Sequence, residues 1–99
     1  MPKAYFFGEI KIHDPDGYAA YRDLSSAAVV QYGGRFLVRG GARHDLEGAS
    51  KQGVRTVIFE FDSIEAARRF YDSAEYSAAR AIRQRCSDGN FSLIEGIAI

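Results

Sequence analysis

The sequence predicts an α+β fold: a ferredoxin-like βαββαβ antiparallel sheet with both helices on one face. Three observations carry that expectation. Strand-like and helix-like segments follow in the order strand-helix-strand, then strand-helix-strand, and each unit needs a right-handed crossover. Residues 32–41 read Tyr-Gly-Gly-Arg-Phe-Leu-Val-Arg-Gly-Gly, in which one double glycine stops a helix, a short strand crosses the sheet and a second double glycine turns the chain back. A weak internal echo, Asp16-Gly-Tyr-Ala-Ala-Tyr against Ala74-Glu-Tyr-Ser-Ala-Ala, relates the two units.

Lys3 to Ile12 is rich in aromatic and β-branched residues and reads as the first strand. Asp14 is a good N-cap for the helix that follows, Pro15 suits its first position and Asp16 favours the positive end of the dipole. Tyr18, Tyr21, Ser25, Ala28 and Tyr32 recur at helical spacing and form one face. Gly33-Gly34 ends that helix, because glycine enters the left-handed cap without a Cβ penalty. Arg35 to Arg39 is the second strand and carries its two arginines at strand spacing. Arg55 to Phe61 is the third, joined to it by a glycine-rich loop. Asp62, with Glu65 three residues on, predicts a capping box for the second helix, whose buried face is Ala66, Ala67, Phe70 and Tyr71. Ser73 breaks or recaps this helix, which continues over Glu75 to Cys86. Asp88-Gly89-Asn90 reads as a turn before a last strand, Phe91 to Ile97.

The strands are apolar on both faces. Phe6, Gly8, Ile10 and Ile12 share one face of the first, Tyr5 and Phe7 the other. In the third, Val57, Phe59 and Phe61 oppose Thr56 and Ile58, and in the last Phe91 and Leu93 oppose Ile94. A half-solvated antiparallel sheet shows cleaner polar alternation than this. Two helices cover one face, so the simplest cover for the other is a second copy across a two-fold axis.

The chain has 99 residues and reads as one domain, 1–99, with 46% hydrophobic residues for a core. Thirteen Lys+Arg balance thirteen Asp+Glu, which removes the electrostatic case for nucleic acid or an anionic membrane as partner. No segment reaches the roughly twenty apolar residues of a membrane span, and no signal-peptide run opens the sequence. A soluble cytoplasmic protein is expected. The lone Cys86 excludes an internal disulfide and reads as a small residue on a packed helix face.

Aspartate-proline before a tyrosine-containing helix, the Tyr32–Gly41 run, Glu60-Phe61-Asp62-Ser63 and Ser73-Ala74-Glu75-Tyr76 together resemble domain-of-unknown-function family 1330. The resemblance runs in order across nearly the whole chain. One departure is Ala74, where the family usually has proline, which leaves the helix start to Ser73 alone. The resemblance implies a dimeric α+β barrel and no established activity. The wider superfamily that it implies spans cofactor-free monooxygenases, lactone isomerases, haem enzymes and ligand-sensing domains, so the fold alone does not name a chemistry.

Candidate site residues come from side-chain chemistry. Arg39 ends one strand and Arg55 begins its antiparallel neighbour, so both lie near one end of the sheet. Arg83 follows on the second helix, close in register to Tyr76. Guanidinium groups bind carboxylates or phosphates bidentately. The alternative is that Arg35, Arg39 and Arg55 pair with Glu9, Glu60 or Glu95. Tyr18, Tyr21 and Tyr76 can line a pocket between helices and sheet, or serve as ordinary core tyrosines. His44, in the glycine-rich loop beside Asp45, is the one proton carrier near neutral pH that such a pocket could use, with a solvated loop residue as its alternative. Two histidines without fixed spacing make a poor metal site, and no dinucleotide or phosphate loop is present. The expectation is a homodimer without metal, flavin or haem. It would act as a cofactor-free enzyme on a small apolar or carboxylated metabolite held by Tyr18, Arg39, Arg55, Tyr76 and Arg83, or as a non-catalytic binding or structural dimer.

Overall fold

The computed structural model describes residues 2–98. Strands β1 (Ala4–Ile12), β2 (Arg35–Arg39), β3 (Val54–Phe61) and β4 (Ser87–Glu95) alternate with helices α1 (Pro15–Gln31), α2 (Ile64–Tyr71) and α3 (Ala74–Cys86). The sheet order is β2-β3-β1-β4 and every neighbouring pair is antiparallel. This is the predicted ferredoxin-like α+β topology, with the second helical segment divided in two.

The divisions have local causes. Asp14 caps α1 by accepting from the Gly17 amide at 3.1 Å, and Gly33 after its C-terminus takes φ +83°. Ser73 accepts from the Tyr76 amide at 3.1 Å and so starts α3. Such a serine cap contributes about 1 kcal/mol.

Two expectations need correction. The cap of α2 is Ser63, which accepts from the Ala66 amide at 3.1 Å; Asp62 instead meets Arg35 at 3.0 Å on the sheet. Glu65 therefore falls one position short of a capping box. The last strand begins at Ser87, because Ser87, Asp88, Gly89 and Asn90 pair with Ile12, Lys11, Ile10 and Glu9 of β1. A turn-forming sequence is held straight by a complete partner strand, since strand formation follows its neighbours more than its own propensity.

The inner sheet face packs against all three helices. Phe6, Phe59 and Phe61 of the sheet surround Phe70 of α2, with ring centroids 5.0–5.6 Å from it. Phe70 in turn lies 4.5 Å from Tyr76 of α3. Ala28 of α1 and Ala67 and Ala79 of α2 and α3 are buried where the elements approach.

The outer face is mixed. Phe7 stands between Ile58 and Ser92, while Leu37 and Ile94 are 52% and 51% exposed. Beside them Glu60, only 8% exposed, receives Arg35 and lies 3.5 Å from Lys3. Burial pushes the Glu60 carboxyl up, but hydrogen bonds from Arg35 and Tyr5 and the charges of Arg35 and Lys3 outweigh it and hold the group below its usual range. A depressed carboxylate stabilises the fold above its unfolded pKa and loses that contribution as pH falls through its folded value. Glu60→Gln should therefore lower the melting temperature at neutral pH. The difference from the parent should shrink to nothing well below the ordinary glutamate value of about 4.3. Melting curves across that range check this, and a difference independent of pH would refute the pairing.

Candidate functional site

The cavity of interest lies between α1 and the inner face of β1 and β3, near the end of the sheet where β2 meets β3. It encloses about 20 Å³, room for about one water molecule. Tyr18, Tyr21 and Arg22 come from α1, Phe36 and Arg39 from β2, Arg55 from β3 and Phe91 from β4.

Helical spacing places Tyr18 and Arg22 one turn apart, and the Arg22 guanidinium lies 5.8 Å from the Tyr18 ring centre. Arg39 reaches the cavity by a less regular route. Residues four apart on a regular strand share a face, and Arg35 and Arg39 would then point together. The β2–β3 register instead slips between Phe36 and Val38. That bulge gives β2 one extra residue, so Arg35 pairs with Glu60 on the outer face while Arg39 opposes Val57 on the inner. There Arg39 lies 4.2 Å over the Phe36 ring and donates to the Ser26 hydroxyl.

Arg55 opposes Ile10 and is half-buried. Its guanidinium rests on the backbone at Gly40, where a Cβ would come within 2.6 Å, and the φ of +70° there already favours glycine. One Arg55 amino group donates to the Arg39 carbonyl at 3.4 Å, while the buried Nε has no hydrogen-bond partner among the described residues. Arg83 of α3 is 8% exposed and stacks 4.2 Å over Phe91, on the wall of the cavity rather than in its lining. Its Nε is likewise buried and unpartnered.

The expected ion pairs form at one arginine of the three. Among the described residues, Arg35 meets Glu60 and Asp62, but Arg39, Arg55 and Arg83 have no carboxylate within 4.0 Å. Glu9 is taken by Arg43 at 3.3 Å, a residue that sequence reasoning did not single out.

The tyrosines supply the cavity's protic groups. Tyr21 and Tyr76 share a buried hydroxyl–hydroxyl hydrogen bond of 3.0 Å, which ties α1 to α3. Burial holds the Tyr18 phenol above its ordinary value; Arg55, Arg22 and Arg83 pull it down without reversing the shift. Tyr21 is held higher still, by burial first and then by Tyr76. Both are neutral phenols at physiological pH.

His44 is exposed on the loop between β2 and β3 and does not line the cavity. Its neighbour Asp45 is engaged within the loop, accepting from the Ser50 amide at 3.1 Å and the Ser50 hydroxyl at 3.0 Å. Among the described residues the cavity lining contains no carboxylate and no imidazole. Cys86 is buried, its thiol pushed up by burial and by Asp14, whose carboxylate it faces at 3.8 Å. Among the described residues no group of three His, Cys, Asp or Glu side chains could hold a metal ion. No described helix is long and apolar enough to cross a membrane.

Tyr18, Arg39 and Arg55 thus meet in one cavity, with Tyr76 one hydrogen bond behind Tyr21 and Arg83 behind Phe91. Arg22 and Phe91 were not anticipated as site residues. The i, i+4 spacing of Tyr18 and Arg22 is a usable signal, whereas nothing local marks Phe91.

A family model described as "Domain of unknown function (DUF1330)" matches residues 3–97. No curated protein matches the sequence. Among solved structures, a protein of unknown function from Rhodopseudomonas palustris is similar at 20% identity and a TM-score of 0.74, over 99% of this chain and 85% of that one. SnoaB, a cofactor-independent oxygenase from Streptomyces nogalater, is similar at 14% identity and a TM-score of 0.72, over 100% and 97% of the two chains. A protein from Caulobacter crescentus proposed to be an antibiotic biosynthesis monooxygenase gives 17% identity and 0.64, over 98% and 92%. At these identities the likeness is one of fold.

Proposed function

From the premise that the chain belongs to the DUF1330 family, we propose that it is a homodimer that binds a small aromatic or carboxylated anion between helices and sheet and acts on it without a resident cofactor. The observation that carries this reading is the pair of buried, unpartnered Nε groups on Arg55 and Arg83 beside neutral tyrosine hydroxyls. An unsatisfied buried donor costs about 1–3 kcal/mol, and an anionic ligand would recover it. Guanidinium groups fixed in a partly buried site also favour the deprotonated form of a bound acid.

That property bears on the reaction class. An oxygenase without a cofactor must draw its electrons from the substrate itself, with dioxygen as the co-reactant. A cavity that favours the substrate's anion makes those electrons available. The likeness to SnoaB is consistent with such a reaction here. In this reading His44 carries the substrate proton, which requires its loop to fold over the cavity. The second reading, a non-catalytic binding module, is favoured by the lack of a carboxylate or imidazole among the described lining residues. His44→Gln separates them by abolishing turnover in the first case and leaving binding intact in both.

The test of the site is a spectroscopic titration of bound 4-nitrophenol. A cationic cavity should lower its apparent pKa by about one unit or more, each unit being about 1.4 kcal/mol of preference for the phenolate. A bound probe with an unshifted pKa, or no bound probe, removes the proposal.

Dimerisation through the outer face rests on exposed Leu37, Val38 and Ile94 beside Phe7 and Ile58. Apolar residues gathered on one sheet face are an interaction surface. Light scattering should give twice the monomer mass, and Phe7→Asp should weaken association at least about tenfold, since it places a charge in that surface without a partner. A parent that stays monomeric at micromolar concentration ends this claim.

A further inference from the structure

The inner face of β1 presents Phe6, Gly8 and Ile10 in succession. A narrow space of about 20 Å³ lies over Ile10, and a second space of about 120 Å³ lies over Phe6, bounded by Tyr71, Arg68 and Leu93. Phe91 lines both. It can do so because it opposes Gly8, whose missing side chain leaves its ring a seat; a Cβ there would lie 2.8 Å from the ring. Arg83 closes the stack from the other side, 4.2 Å from the ring centre.

From this arrangement we infer that Phe91 is a movable partition that determines the size of the ligand the site accepts, with Arg83 as its latch. The inference rests on the anion-binding reading of the cavity. A space for one water cannot hold an organic anion, whereas a benzene-sized guest occupies a cavity of roughly 150 Å³. Joined, the two spaces approach that size, and among the described residues Phe91 is the one that lines both. Arg83 couples the opening to charge. Its guanidinium has no carboxylate within 4.0 Å among the described residues and holds the ring by its face alone. An incoming carboxylate offers that guanidinium stronger, charge-assisted bonds. The latch then exchanges the ring for the ligand, and the ring is free to turn. A neutral aromatic of the same shape has nothing to offer Arg83 and leaves the partition shut.

The experiment compares benzoate and 2-naphthoate by calorimetry on the parent, Phe91→Ala, Phe91→Leu and Arg55→Met. Phe91→Ala should raise the affinity ratio of naphthoate over benzoate at least about tenfold, and Phe91→Leu should raise it less. Arg55→Met should weaken both ligands and leave the ratio as in the parent. Benzamide should bind every protein more weakly than benzoate, and it should gain affinity over the parent only in the Phe91 variants, where no latch has to be released. Arginine-dependent binding of benzoate with an unchanged ratio in both Phe91 variants overturns the partition while leaving the anion site standing. Absence of benzoate binding in the parent and in every variant overturns the anion site and the partition with it. Phe91→Leu keeps an apolar side chain on Gly8, so the ratio remains measurable should the alanine variant not fold.

Discussion

Arg83→Met should weaken benzoate binding by about 10- to 150-fold, and the double variant with Arg55→Met by at least about a hundredfold. The range corresponds to the roughly 1.5–3 kcal/mol of a charge-assisted hydrogen bond. Stability should move little or rise. The Arg83 guanidinium is buried with its Nε unpartnered, and among the described residues it has no carboxylate within 4.0 Å. Methionine keeps the length of the stem and removes a charge that is costly to bury. A structural arginine behaves in the opposite way: its loss strands an acidic partner, so the melting temperature falls while ligand binding is unchanged. Measuring both quantities on one preparation decides between the two. Arg39→Met is a gentler companion, because Arg39 is exposed and already bonded to the Ser26 hydroxyl.

Phe70→Ala should be the most damaging single change to the fold, at about 3–5 kcal/mol. Phe70 is fully buried, and its ring is a neighbour of Phe6, Phe59, Phe61, Tyr32 and Tyr76. No neighbouring residue can collapse into the space without leaving its own partners. For a domain of this length the loss corresponds to a fall in melting temperature on the order of 15–30 °C. Urea denaturation checks it, and a cost below about 1 kcal/mol would show that the surrounding rings repack freely. The effect should reach the site, since Phe70 supports Tyr76 and Tyr76 holds Tyr21.

The elements that sequence reasoning located well are those whose signals are local. Asp14-Pro15 starts α1 and Gly33 ends it by chemistry confined to a few residues. The alternation in β1 is equally local, and the sheet divides its faces as the pattern requires. Asp88-Gly89-Asn90 has the composition of a turn, but its extended form comes from residues 9–11, far away in the chain. The site followed the same division. Arg39, Arg55 and Tyr18 could be brought together from strand pairing and helical period alone. The separation of Arg35 from Arg39 depended on a bulge whose cause is the pairing with β3. That Arg83 has no acidic partner among the described residues is a negative fact about every neighbour at once, and no stretch of sequence carries it.

Strand β1 and the edge strand β4 beside it begin and finish together. Ala4 opposes Glu95, and the Gly96 amide donates to the Lys3 carbonyl at 2.7 Å. Residues 3 and 96 are therefore neighbours, while residues 41–50 form no part of any strand or helix. The segment between them is close to a ring. Joining residues 96 and 3 with a few glycines and opening the chain in the 41–50 loop would leave the described strand pairings and helices in place. Such a permutant would carry His44 beside a chain end, where it can be trimmed away or lengthened without touching the sheet.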